Sequence, residues 1–226
     1  MNTYLSLIDK YPFLFQNDNA MIKIIKDQER IFSWQHEKKK ALIEHNLPLS
    51  WADIGLVFSD PFFFVLRDLV QFPNGRLSGY CRVLSEADLN GGRGVVVLPV
   101  YEDKVLLIHQ YRHPTRMWHY EVPRGYGESN LSPEENAYKE VEEETGGKIS
   151  ELINLGELHM DSGFDGNSAL LYYAKLNSFG QANEDEGIDS ITWVTVQELE
   201  EWIADDKITD GFTIAAFTRA RLKGLI

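Results

Sequence analysis

One segment past the middle of this chain specifies a helix with two fixed ends. Ser132 is a good N-cap, Pro133 suits the first helical position, and Glu135 completes a capping box with the serine. Gly146 is a natural residue just beyond a helix C-terminus, because glycine adopts positive φ at little cost. These signals predict a helix over 133–145.

The second half of this predicted helix is unusually acidic. Four of the five residues 140–144 are glutamate, and they lie where the helix dipole is already negative. Glu140 shares a face with Glu144 and neighbours Glu143, and each like-charged pair costs roughly 0.2–0.5 kcal/mol on an isolated helix. A hard cation such as Mg²⁺ or Mn²⁺ would offset this repulsion, since such ions prefer carboxylate oxygens. The alternative is an acidic face that only water solvates.

Composition narrows the class of partner. The 226 residues carry a net charge of −13 and the pI is near 4.9, which argues against a nucleic-acid backbone or an anionic membrane surface as the partner. The single cysteine, Cys81, forms neither a disulfide framework nor a cysteine-based zinc site. We see no signal peptide and no membrane span, and we expect a cytoplasmic protein.

The order of predicted elements indicates a mixed-sheet α/β or α+β fold, because strands and helices do not alternate as regular βαβ units. Residues 1–48 are expected to form a helical extension, with helix between 20 and 47. Residues 49–90 are expected to form a small antiparallel β unit, whose strands around 62–72 and 80–84 meet at an Asn-Gly turn. Residues 91–226 form the main predicted domain. Its predicted strands and C-terminal helices lie at 95–100, 105–112, 120–122, 153–160, 169–175 and 191–194, and at 196–204 and 212–223.

The acidic helix resembles the Nudix signature. Lys139–Gly146 matches the second half of that motif, and Gly125 falls on its first glycine. Three positions depart from it: Lys139 replaces an arginine, Leu131 a glutamate and Gly147 an aliphatic residue. The resemblance implies a Nudix-like mixed sheet sandwiched between helices.

Neighbouring segments are similar in order and spacing to the ADP-ribose pyrophosphatase branch of that superfamily. They are Val97–Val100, Leu107–Pro114, Glu121–Gly125 and Lys207–Ala216. The similarity covers about residues 50–226, and residues 1–48 have no clear match. Ser162 and Asn167 depart from the branch, which commonly has a proline and an acidic residue there, so the resemblance does not fix the substrate.

The resemblance implies a metal site on the acidic helix. Glu140 and Glu144 would bind the metal, and Glu143 would be a further ligand or a supporting catalytic carboxylate. The backbone carbonyl of Arg124 would join them, while its side chain would either reach a phosphate or pair with the acidic helix. Glu128 would either replace the carboxylate lost at Leu131 or remain an exposed loop acid.

Other residues are assigned roles by the same resemblance. Glu184 would be a general base and Glu186 an extra metal ligand in a mobile acidic loop, unless that loop is only a solvated turn. Arg112 would contact the diphosphate, with a surface salt bridge as the alternative. Glu121 would face the pocket or simply pair with Arg112.

The function these assignments imply is Mg²⁺- or Mn²⁺-dependent hydrolysis of a diphosphate bond in a nucleoside diphosphate derivative. The substrate would be ADP-ribose or another nucleotide sugar. The first alternative is a non-catalytic Nudix-like module that binds such a metabolite, and the second is an acidic scaffold with no site. The branch also implies a homodimer, formed through residues 55–85; the apolar run Phe62–Phe64 fits either that interface or an internal core.

Overall fold

The computed structural model describes residues 4–226, which divide into two units. The first comprises residues 4–89 and 161–167, and the second comprises residues 90–160 and 168–226. No helix among residues 4–226 is both long and apolar enough to cross a membrane.

The first unit is a small antiparallel sheet with helices. Its elements are α1 (Tyr4–Lys10), β1 (Lys23–Ile24), α2 (Gln28–Glu44), β2 (Gly55–Ser59), β3 (Phe63–Gln71), β4 (Leu77–Ser85) and α3 (Glu86–Leu89), with 3-10 turns at Pro12–Phe15 and Leu49–Ala52. Strand β3 pairs antiparallel with β1, β2 and β4. The N-terminal segment is therefore helical over α1 and α2, and it also supplies a short strand to the sheet.

The hairpin predicted in this unit is confirmed. Gly75 has φ +82° at the turn between β3 and β4, as an Asn-Gly signal predicts. The apolar run splits between inside and outside: Phe63 and Phe64 are successive residues of β3 and face opposite ways, whereas Phe62 precedes the strand. Phe64 is buried at 2% exposure, whereas Phe62 is 76% exposed and Phe63 is 38% exposed.

The loop 161–167 packs on β4 within the same unit. The Val83 N–H donates to the Phe164 carbonyl, and the Gly166 N–H donates to the Val83 carbonyl, both at 3.0 Å. Asn167 accepts the Ser85 N–H on its Oδ1 at 2.6 Å. In this chain, the asparagine at one of the two departing positions therefore satisfies a strand-end backbone group.

The second unit is built on one mixed sheet. Its elements are β5 (Gly94–Tyr101), β6 (Lys104–Arg112), β7 (Met117–Glu121), β8 (Arg124–Gly125), α4 (Pro133–Thr145), β9 (Lys148–Leu158), β10 (Ala169–Ser178), β11 (Ile188–Thr195), α5 (Val196–Ala204) and α6 (Gly211–Leu222). The strands run in the order β11-β6-β5-β10-β9, with β7 paired to β6 and β8 paired to β5. Strands β5 and β10 are parallel, and the other pairs are antiparallel.

Both faces of this sheet are covered by helices. On one face, Val96 and Leu98 of β5 share a buried cluster with Leu199 of α5 and Phe217 of α6. On the other face, Val97 of β5 packs in a cluster with α4. Because β5 is buried on both sides, it reads as a continuous apolar run in the sequence. The predicted mixed sheet between helices is confirmed.

Candidate active site

Helix α4 has the predicted bounds and both predicted ends. Ser132 accepts the Glu135 N–H while the Glu135 side chain accepts the Ser132 N–H, and Gly146 is left-handed at φ +63°. Ala137 and Val141 are fully buried against the sheet, which fixes the rotation of the helix about its axis. That rotation leaves Glu144 buried at 5% exposure, Glu140 half-buried, and Glu143 exposed.

The backbone of β8 lies directly against the acidic face of α4. A Cβ atom built on Gly125 would overlap the carboxylate of Glu140. An alanine at this position would therefore force the Glu140 carboxylate, the flexible end of its side chain, to shift. This observation gives a physical reason for the first glycine of the signature.

The carboxylates of α4 lie in an environment that opposes their charge. The pKa of Glu140 is raised to about 7, first by burial and then by the charge of the neighbouring Glu143; Glu186 and Glu128 act in the same direction, against Lys139. The structure thus brings Glu186 of the acidic loop into the field of the helix carboxylates. Carboxylates in this state gain by meeting a cation.

Glu144 is the most deeply placed of these groups. Its pKa is raised to about 8, first by burial and then by the charge of Glu140, while Arg112 and a backbone hydrogen bond from Arg124 oppose the shift. Its Oε2 atom is buried without a hydrogen-bond partner among the described residues. A buried carboxylate oxygen without a partner is costly, so this atom suits a cation ligand.

Glu121 joins the two predicted substrate arginines. It is fully buried and accepts from Arg112 Nε at 2.7 Å and Nη2 at 3.1 Å. It also accepts from Arg124 Nε at 3.1 Å. The side chains of Arg112 and Arg124 remain 25% and 27% exposed. Glu121 therefore does pair with Arg112, and it holds two guanidinium groups in place.

The Arg124 side chain pairs away from the acidic helix. Besides Glu121, it lies 3.7 Å from Asp210 Oδ1 and stacks 5.0 Å from the Phe212 ring centroid. Asp210 caps α6 by accepting the Thr213 N–H at 2.8 Å. Of the two alternatives for this arginine, pairing with α4 is wrong, because its ion pairs go to Glu121 and Asp210.

The acidic loop forms a 3-10 turn at Glu184–Glu186 that is tied to both α4 and β6. The Asn183 N–H donates to the Glu144 carbonyl at 3.3 Å, and the Tyr111 N–H donates to the Gly187 carbonyl at 3.0 Å. Glu184 and Glu186 are both exposed. Of these two, only Glu186 acts on the pKa of Glu140, so Glu184 is the less closely connected to the helix.

Glu128 pairs with Lys139, which also lies 3.7 Å from Glu143. The Glu128 backbone N–H donates to Oδ1 of the buried Asn136 at 3.1 Å. Glu128 is thus a partly exposed loop acid with a cationic partner. Its negative charge nevertheless reaches Glu140.

The donor set fits a divalent cation through its chemistry. Among residues 4–226, no three acidic, histidine or cysteine side chains are already gathered as a closed ligand set. Such cations, however, take few protein carboxylates and complete their shell with water and substrate phosphate. The buried, unpartnered Oε2 of Glu144 beside Glu140 is consistent with a site of that open kind.

Sequence reasoning missed three polar residues around this site. Gln110 donates to the Glu186 carbonyl at 2.8 Å, Asn136 orders the loop before α4, and Asp210 meets Arg124. Helix-capping rules could have identified Asp210 as an N-cap, and a polar residue at the end of an apolar strand is a weak signal for Gln110. Their partners depend on tertiary contacts that no local pattern shows.

Comparison with known proteins identifies the family. The NUDIX domain profile matches residues 91–212, which is more than half of the chain. A methanol dehydrogenase activator of Bacillus methanolicus is 30% identical over 172 residues, covering 74% of this chain and 89% of that protein. The chain therefore belongs to the Nudix family, and it is a Nudix hydrolase.

A second relative and a solved structure are also similar to this chain. The ADP-ribose pyrophosphatase of Bacillus subtilis (strain 168) is 25% identical over 171 residues, covering 74% of this chain and 89% of that protein. The crystal structure of an ADP compounds hydrolase has the same fold, with a TM-score of 0.64 at 20% identity, over 76% of this chain and 93% of that one. The resemblance drawn from the glutamate helix and its flanking segments is confirmed. Nudix hydrolases generally use a divalent metal.

Proposed function

We propose that this protein hydrolyses the diphosphate bond of a nucleoside diphosphate-linked substrate, such as ADP-ribose or another nucleotide sugar, with Mg²⁺ or Mn²⁺. One observation carries the proposal. Two desolvated carboxylates, Glu140 and Glu144, share one face of a rotationally fixed helix, and the deeper one has a buried oxygen with no hydrogen-bond partner among residues 4–226. The names of the Bacillus subtilis relative and of the solved ADP compounds hydrolase support a nucleotide substrate.

In the proposed site, the metal would be held by four carboxylates and one backbone carbonyl: those of Glu140, Glu143, Glu144 and Glu186, and that of Arg124. A divalent cation there supplies neutralisation of the phosphate oxygens and lowers the pKa of the attacking water. The carboxylates of α4 and the phosphate oxygens of the substrate are both negative, and the same cation would neutralise both. Metal and diphosphate are therefore expected to bind cooperatively.

The remaining residues bind the substrate and accept a proton. Arg112 and Arg124 approach the diphosphate with the guanidinium edges that Glu121 leaves free, and Glu121 limits their movement. A water oxygen attacks one phosphorus, and the bond from that phosphorus to the bridging oxygen breaks. The water proton passes to a carboxylate, Glu184 or Glu143. The products are two phosphomonoesters.

The test is an assay of phosphomonoester release from a panel of dinucleotides and nucleotide sugars with Mg²⁺ or Mn²⁺. Glu144→Gln should reduce turnover by about 100-fold or more, as loss of a directly acting group does. Glu142→Gln is the matched control, because Glu142 lies on the same helix but is exposed and pairs with Lys148. Absence of turnover across the panel, or equal activity in both variants, refutes the hydrolase proposal.

A non-catalytic metabolite-binding module is the second candidate. It is favoured by Leu131, which removes one carboxylate from the signature, and by a relative named as an activator of another enzyme. Saturable binding of a nucleotide sugar without any turnover, measured by calorimetry, would support this candidate over hydrolysis.

We further propose a homodimer formed through the first unit, in the cytoplasm. Strand β2 pairs with β3 and exposes Leu56, Val57 and Phe58 at 37–47%. Apolar residues on a strand that pairs on one side favour association. The lone, half-buried Cys81 fits a reducing compartment.

A further inference from the structure

Gln110 is a buried polar residue at the end of an otherwise apolar strand. It is 5% exposed, in β6 after the fully buried Val105–Ile108. Its Nε2 donates to the Glu186 carbonyl at 2.8 Å. The amide orientation is fixed by this partner, because a carbonyl oxygen can only accept a hydrogen bond.

The oxygen of the Gln110 amide shows which of its two polar atoms has a structural role. Its Oε1 is buried without a hydrogen-bond partner among the described residues. An unpaired buried oxygen is unfavourable, and an apolar residue of the same length would avoid that cost. The donor bond to Glu186 is thus the feature that an apolar side chain could not supply.

The bond holds a residue that the strand pairing does not include, one position before the Gly187 carbonyl that accepts the Tyr111 N–H of β6 at 3.0 Å. The register of β11 on β6 begins at Ile188 opposite Gln110 and is irregular before Ser190. Glu186 precedes that register, in a 3-10 turn of three residues. The Gln110 side chain therefore extends the hold of β6 beyond the strand pairing, to the residue whose charge acts on Glu140.

We propose that Gln110 is a positioning residue that fixes the acidic turn, and with it Glu186, over the carboxylates of α4. Gln110 acts through the Glu186 backbone and does not itself touch the metal or the substrate. The effect of Gln110 on metal binding and turnover rests on the function proposed above, whereas the anchoring of the turn does not. The loop is accordingly held in place before any ligand binds.

The anchoring is tested by amide hydrogen exchange on the metal-free protein. Gln110→Met keeps the side-chain length and removes the donor. It should accelerate exchange of the Glu186 and Gly187 amides about fivefold to tenfold, as loss of one hydrogen bond allows. The amides of α4, and those of β6 other than Tyr111, which bonds to Gly187, should keep wild-type rates. Gln197→Met is the matched control, because Gln197 is an exposed glutamine that bonds to Glu201 on α5.

The second measurement is Mn²⁺ binding without substrate, followed by electron paramagnetic resonance. Gln110→Met should weaken Mn²⁺ binding about tenfold, the usual effect of removing a residue that orients a metal ligand. Turnover at saturating Mn²⁺ should fall less than the affinity does. A side chain that only fills space would instead leave the metal affinity unchanged.

The outcomes separate the two proposals. The anchoring is refuted if the Glu186 and Gly187 amides of Gln110→Met exchange at wild-type rates, or if exchange is faster throughout β6. Either result refutes it independently of the activity that is measured. Faster exchange confined to the turn, in a protein that hydrolyses no substrate, supports the anchoring and refutes the proposed function.

Discussion

Among single residues, Glu144 shows most clearly how burial and charge determine what the site can bind. It is nearly inaccessible to water, it neighbours Glu140, and its Oε2 has no hydrogen-bond partner in the part of the chain that the structure describes. Arg112 and an amide of Arg124 compensate only in part. The remaining cost makes a cation the natural partner of this side chain.

The raised pKa values predict how stability changes with pH in the metal-free protein. The folded-state pKa values of about 7 for Glu140 and about 8 for Glu144 exceed the ordinary value of 4.5, so folding favours their protonated forms. The contribution of these two groups to the free energy of unfolding is complete below pH 4.5, and it is lost as the pH rises through 7 to 8. Glu144→Gln should therefore lose less stability than wild type between pH 5 and pH 8.

Urea unfolding at these two pH values, with a chelator present, measures that difference. Glu142→Gln serves as the control and should keep the wild-type pH dependence. An identical pH dependence in wild type and Glu144→Gln would show that the burial of Glu144 does not shift its titration.

At the scale of elements, the site depends on how closely β8 approaches α4. Gly125→Ala places a methyl group where the Glu140 carboxylate lies, so the carboxylate must move. We expect turnover to fall about 100-fold, since displacement by about 1 Å has that effect in active sites. Gly94→Ala is the control, because its Cβ would make only ordinary contacts, the nearest at 3.6 Å.

Steady-state rates and thermal unfolding of the two alanine variants test this prediction. Activity should be lost in Gly125→Ala with little change in the unfolding temperature. Full activity in Gly125→Ala would mean that Glu140 does not need its present position.

The sequence predicted those elements whose signals are local. Helix α4 followed from Ser132, Pro133 and Gly146, and the β3–β4 hairpin followed from its Asn-Gly turn. The partners of Arg124 and Gln110 could not be predicted, because Asp210 and Glu186 are distant in sequence and meet them only after folding. The short strand β1 was also missed, since two residues carry no periodicity and its pairing comes from β3.

At the scale of the whole molecule, the proposed dimer forms through residues 55–85 of the first unit, which expose Phe58 and Phe62. Phe62→Glu should shift the protein toward monomer, because a charge would have to be desolvated in an interface. Phe32→Glu is the control, as Phe32 on α2 is 73% exposed and Phe62 is 76% exposed. Light scattering over a range of concentrations measures the outcome; an unchanged mass for Phe62→Glu would rule out this part of the surface as the interface.

The most direct test of the central claim is anomalous diffraction at the manganese edge from crystals grown with Mn²⁺. We predict a peak between the carboxylates of Glu140 and Glu144 that is absent in Glu144→Gln crystals. A well-diffracting Mn²⁺ crystal with no peak there, or with manganese bound only elsewhere, would contradict the account.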